Sequence, residues 1–135
     1  MILLDTNVCI GILKGHTVLV ERLRQYNVDE VKLCSVVKAE LYYGALASTR
    51  VAENLVNVEH FVQQFASLPF DDICAKAYGN VRAALKSKGQ PIGANDMMIA
   101  ATALAYSAIL ITHNVREFGR VPELRYEDWE AESTS

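Results

Sequence analysis

Met1-Ile2-Leu3-Leu4-Asp5-Thr6-Asn7 opens the chain as a short apolar run that ends on a carboxylate. A buried strand has no room for Asp5 inside it, so the acid must stand at an open strand end, where cations and substrates bind in α/β folds. Two more acids lie in apolar neighbourhoods: Glu40 in Ser35-Val36-Val37-Lys38-Ala39-Glu40-Leu41 and Asp96 in Gly93-Ala94-Asn95-Asp96-Met97-Met98-Ile99-Ala100. Working outward from Asp5, Val8, Ile12 and Leu13, then Val18, Leu19 and Leu23, keep a helical spacing broken near Gly15-His16, which predicts two short helices. Val31-Lys32-Leu33-Cys34 reads as a second buried strand, with Ser35 as N-cap of the helix that carries Glu40. Residues 50–65 make an amphipathic helix through Leu55, Val58, Val62 and Phe65. Ala66 to Phe70 reads as an edge strand ended by proline, and Asp71 caps a long helix to about Lys88. After the loop Gly89-Gln90-Pro91-Ile92-Gly93, Asn95 or Asp96 opens a helix to Tyr106. Strands follow at Ala108–Ile111 and around Leu124–Tyr126.

Strands separated by helices predict parallel pairing, right-handed crossovers and an α/β fold, a three-layer α/β/α sandwich with a mostly parallel central sheet. In that arrangement the strand carboxyl ends share one edge. Asp5 and Asn114 follow strands directly, while Glu40 and Asp96 lie near helix starts, so all face one crevice. Three ionised carboxylates in one crevice repel by roughly 4 kcal/mol per pair at 4 Å and an effective dielectric near 20, so they need a cation or must protonate. Oxygen ligands without His or Cys favour Mg²⁺ or Mn²⁺ over zinc. Each acid also has a plainer reading: Asp5 or Asp96 as a helix cap, Glu40 as a solvated helix residue. The set is stronger than its members because all three fall at the same end of the sheet.

With 135 residues, 51% hydrophobic and 21% charged, the chain suits one globular domain. The longest apolar stretch, Met97–Ile111, is interrupted by Thr102 and Ser107 and falls short of the ~20 residues that span a bilayer. With no leader pattern at Met1, a cytoplasmic protein with no membrane partner is expected. Cys9, Cys34 and Cys74 lack metal or disulfide spacing and read as buried thiols. Net charge is −3, but residues 123–135 hold five acids against Arg125, leaving +1 on residues 1–122. Lys14, Arg22, Arg24, Lys38, Lys86, Lys88, Arg116 and Arg120 can therefore meet phosphates. His16, His60 and His113 read as surface or peripheral residues. No serine lies in a GxSxG turn and no glycine-rich loop carries a lysine, which removes support for acyl hydrolysis and nucleoside-triphosphate binding. A phosphoacceptor domain would need an acid pair beside the first strand and a lysine after a late strand, and neither is present.

The opening segment, Ser35 to Gly44, Asn95 to Ala101, and Thr112-His113-Asn114-Val115-Arg116-Glu117-Phe118, in that order, resemble the motifs of PIN-domain ribonucleases, most closely the VapC toxins of bacterial toxin-antitoxin pairs. The resemblance covers Met1 to Trp129 and implies a PIN-like nuclease domain over residues 1–130, with 131–135 as a flexible polar tail. It implies a Mg²⁺- or Mn²⁺-dependent endoribonuclease with Asp5, Glu40 and Asp96 as metal ligands. Asn114 stands where many such domains have a fourth acid. It would ligate through its amide oxygen or through water, or Glu117 would substitute, with Thr6 and Thr112 in support. The implied partners are an RNA substrate, a tRNA or rRNA loop, a cognate antitoxin, a second copy in a homodimer, and operator DNA only through the antitoxin complex. The rival from another class is a catalytically silent PIN-like module that binds RNA or protein.

Overall fold

The computed structural model describes residues 1–131, and the polar tail expected at 131–135 lies, beyond Ala131, outside them. Five strands form one wholly parallel sheet: β1 (Ile2–Leu4), β2 (Val31–Cys34), β3 (Ala66–Leu68), β4 (Ile109–Ile111) and β5 (Tyr126–Glu127), in the order β3-β2-β1-β4-β5. The helices are α1 (Thr6–Leu13), α2 (Thr17–Leu23), α3 (Ser35–Leu46), α4 (Val51–Val62), α5 (Asp72–Ser87), α6 (Ala94–Ala105) and the single turn α7 (Val115–Phe118). This is the expected three-layer sandwich. β1 leads to β2 and then β3 on one side, and the chain crosses back to place β4 and β5 on the other. Right-handed crossovers in opposite directions put α1–α4 on one face and α5–α6 on the other. Packing agrees: α1, α3 and α4 contact one another, α5 packs along α6, and the two groups meet where α3 touches α6.

The reversal of strand order falls between β1 and β4, the place where such sheets leave a crevice at their carboxyl ends. Leu4 pairs with Ile111, so Asp5 and Thr112 emerge side by side. The three residues of β1 are buried throughout, as in a sheet covered on both faces.

Several boundaries differ from the sequence reading. Ser35 lies inside α3, whose N-cap is Cys34, and Gly93 rather than Asn95 or Asp96 caps α6; neither cap makes a side-chain bond. Asp71 does cap α5, accepting from the Cys74 amide at 3.1 Å. The last strand lies at Tyr126–Glu127, pairing Leu110 with Tyr126. All three cysteines are buried and unpaired. No helix among the described residues is long and apolar enough to cross a membrane.

Leu3 is fully buried at the centre of the sheet. Leu3→Ala should cost about 2–5 kcal/mol, because the strands on either side leave little freedom to collapse onto the cavity. Urea unfolding followed by emission of Trp129, the single tryptophan, stacked 5.6 Å from Tyr26, measures this, and a loss below about 1 kcal/mol would contradict the packing described.

Candidate active site

Asp5 leaves β1 and serves as N-cap of α1, so its cap role and a role in the crevice coexist. Only 4% of it is exposed. One carboxylate oxygen accepts from the Thr6 amide at 2.7 Å and the other from Thr112 Oγ1 at 2.8 Å. Burial pushes its pKa above the ordinary value, the Thr112 and Thr6 hydrogen bonds oppose that, and the charge of Glu40 adds to it.

Glu40 projects from the second turn of α3, and its Oε1 accepts from Thr6 Oγ1 at 2.6 Å. Thr6 thus ties two acids together, with its amide on Asp5 and its hydroxyl on Glu40. Asp96 sits in the first turn of α6 but makes no cap bond; its carboxyl is turned to the other acids. Its pKa is pushed up to about 7, first by burial, then by a hydrogen bond shared with Glu117, then by the charges of Asp5, Glu117 and Glu40. One crevice therefore gathers four carboxylates, and no base is among the causes acting on Asp96.

Asn114 and Glu117 divide the work that the sequence left open between them. Asn114 Nδ2 donates to Glu117 Oε2 at 3.2 Å, and the Asn114 amide donates to Thr112 Oγ1 at 3.0 Å. An amide oxygen turned to that carboxylate would repel it, so the amide group must face it as drawn. Glu117 is the acid against Asp96, and Asn114 orients Glu117.

Among the described residues, the most compact set of metal-ligating groups lies elsewhere: His113, Asp128 and Glu130 offer atoms within 4.8 Å of one another. Each acid of this set already faces a histidine. His113 Nδ1 lies 3.1 Å from Asp128, and His16 Nε2 lies 3.1 Å from Glu130. His16, read as a plain surface residue, also accepts the Leu19 amide at 3.4 Å, which caps α2. The crevice acids are spread more widely and lack such partners. An all-oxygen donor set with excess negative charge fits a small hard divalent ion, which keeps several waters and needs few protein ligands. Asp5, Glu40, Asp96 and Glu117 are the residues able to hold it.

The PIN domain model matches residues 2–124. The chain is 40% identical over 129 residues to a protein of Shigella flexneri called tRNA(fMet)-specific endonuclease VapC, covering 94% of this chain and 96% of that one. It is 39% identical to Ribonuclease VapC2 of Haemophilus influenzae over the same shares. In structure it matches a chain of the DNA-bound VapBC of Salmonella typhimurium with a TM-score of 0.90 and 38% identity, covering 96% of this chain and 99% of that one.

The raised pKa of Asp96 carries a stability consequence with a definite sign. Between the ordinary 3.8 and about 7 the folded chain holds a proton that the unfolded chain has released, so this group withdraws stability from the metal-free protein as pH rises through that window. Asp96→Asn should therefore be the more heat-stable protein at pH 8 without metal, its Tm advantage growing from about pH 4 and levelling above pH 8. Mg²⁺ should raise the Tm of the unaltered protein at pH 8 and leave the variant nearly unmoved. An advantage that shrinks as pH rises would show that Asp96 does not carry this proton.

Proposed function

This chain belongs to the PIN domain family, and we propose that its crevice hydrolyses RNA phosphodiester bonds with Mg²⁺ or Mn²⁺ held by Asp5, Glu40, Asp96 and Glu117. It is a toxin ribonuclease of the VapC type. The observation that carries the metal reading is the convergence of four carboxylates on the strand-order reversal, with Asp96 forced to keep a proton near neutrality.

A bound divalent ion supplies Lewis-acid polarisation of the scissile phosphate and a more acidic water. The chain does the rest. Thr112 and the Thr6 amide lock Asp5, so the ion's anchor needs no reorganisation. Thr6 holds Glu40, which also lines the neighbouring groove and is placed to orient the attacking water and accept its proton as the bond to the leaving sugar oxygen breaks. Asp96 would hold the ion as a carboxylate and so would have to release its proton, which would make metal affinity rise with pH. Asn114, the sole sequence support for a silent module, instead positions a working acid.

The substrate proposed is an unpaired loop of a tRNA or rRNA, since paired A-form RNA hides its bases and a loop offers a strand that enters a crevice. The tRNA(fMet) specificity in the Shigella relative's name supports the tRNA class. A cognate antitoxin fits the groove of about 350 Å³ between α1, α3 and α4, lined by Ile10, Leu13, Leu41 and Val58 with Glu40 among them. A segment seated there would cover a catalytic acid. Operator DNA would be reached only through that complex, as the DNA-bound Salmonella assembly suggests. Exposed Tyr43 and Leu46 on α3 offer an apolar face to a second copy. RNA and antitoxin as partners imply work in the cytoplasm.

Purified protein should cut RNA with Mg²⁺ or Mn²⁺ and stop with a chelator. Asp5→Asn, Asp96→Asn and Glu117→Gln should each lower the rate by at least about 100-fold with circular dichroism unchanged, and Asn114→Ala by about 10–100-fold, as for residues that orient a metal ligand. Metal-independent cutting, or full activity in both aspartate variants, would reject the assignment.

A further inference from the structure

Beside the crevice, the carboxyl-terminal half of α5 and the loop after it enclose a groove of about 610 Å³. Leu85, Ile92 and Met97 are the buried residues along it, and Arg82 and Lys86 stand exposed in its lining. No carboxylate and no aromatic ring is among the lining residues. Arg82 and Lys86 are four residues apart on α5, hence on one face and about 6 Å apart along the axis. That is close to the separation of successive phosphates along a single strand. Arg82 Nη1 donates to the Tyr78 hydroxyl at 3.1 Å, which braces the guanidinium without neutralising it. Among the described residues neither cation has a carboxylate within 4.0 Å.

The groove lies within one helical turn of the crevice: Ala94 and Met97, which line it, flank Asp96 at the start of α6. Gly93, between the lining residues Ile92 and Ala94, is packed so that a Cβ there would meet Asp96 Oδ2 at 3.6 Å. On the other side, Arg120 Nη1, just past the α7 turn that carries Glu117, donates to the Pro91 carbonyl at 3.1 Å. The loop is turned at Gly89, where φ is +66°, a conformation other residues rarely adopt. The loop is thus joined to the segment just beyond the Glu117 turn and leads directly into the helix that carries Asp96.

We propose that the RNA strand flanking the cleaved bond lies along this groove, with neighbouring phosphates against Arg82 and Lys86. Repulsion by the four crevice acids makes such a grip necessary: a polyanion reaches the site only if cations nearby hold the phosphates that the ion does not. With no ring to stack on and no acid to read base edges, the groove positions RNA and does not select its sequence. The proposal rests on the nuclease reading above.

The test uses the full chain with Asp96→Asn to prevent cutting, a labelled RNA hairpin with an unpaired loop, and filter binding from low to high KCl. Adding Arg82→Ala with Lys86→Ala should weaken binding at least 10-fold at low salt and lower the slope of log K against log salt by about 1.4, the value for two phosphates on a single strand. Arg82→Lys with Lys86→Arg should keep the slope, and Lys76→Ala, on the same helix outside the groove, should not change it. An unchanged slope in the double alanine variant, or an equal fall with Lys76→Ala, overturns the proposal; thermal melts confirm that each variant folds. Wild-type cleavage with Mg²⁺ is scored separately. If it is absent the nuclease reading falls, and if it is present with an unchanged slope only the groove does.

Discussion

The structure depends on keeping a carboxylate buried at the junction of two parallel strands. Asp5 is nearly inaccessible and would be destabilising there without partners, since an unpaired buried charge costs several kcal/mol. Its partners come from both sides of the strand-order reversal: the Thr6 amide from the helix that β1 feeds, and the Thr112 hydroxyl from the end of β4, 107 residues away in sequence. The register of β1 on β4 is therefore part of the site, because a slip of one residue would turn Thr112 to the other face. The Asp5 amide, donating to the Ile111 carbonyl at 3.0 Å, pins the same junction.

The fold was legible because its elements are long or strongly patterned. The apolar runs at Ile2–Leu4, Val31–Cys34 and Ile109–Ile111, spaced by helical periodicities, admit little besides a parallel sheet. The mistakes fall where pattern is thin. Ser35 and Asn95 are good caps by type, yet Cys34 and Gly93 take those places without side-chain bonds, since the strand exits already direct the helix starts. The strand read around Leu124–Tyr126 forms slightly later, as the two-residue β5, and α7 is one turn, too short for any periodicity to announce. Among site residues, the acids stood out as charges at strand ends or in apolar runs. The link between Asn114 and Glu117 was not readable, because i,i+3 spacing signifies a contact only once a helical turn is known to begin at Val115.

Net charge misleads in this protein for a structural reason. The acids that make the total negative are concentrated after residue 122, and two of them, Asp128 and Glu130, are drawn onto His113 and His16. Both carboxylates are mostly buried, with side-chain exposures of 14% and 25%. His113 has its pKa raised, first by its hydrogen bond to Asp128, so the pairing gains charge as pH falls. A basic groove beside the crevice is consequently compatible with an acidic chain. Local arrangement decides what a polyanion meets within a Debye length, about 8 Å at physiological salt.

The departure at Asn114 from the acid common in PIN domains follows from the same electrostatics. The pKa of Asp96 is already raised by burial, by its hydrogen bond with Glu117 and by the charges of Asp5, Glu117 and Glu40. A carboxylate at 114, against Glu117 Oε2 at the present 3.2 Å contact, would face like charge where the amide now donates. It would raise the proton affinity of the whole set and oppose the loss of a proton that metal loading requires. With Asn114 donating, Glu117 is held toward Asp96 and the excess charge is capped at four acids. The amide thus supplies orientation where a further acid would add repulsion.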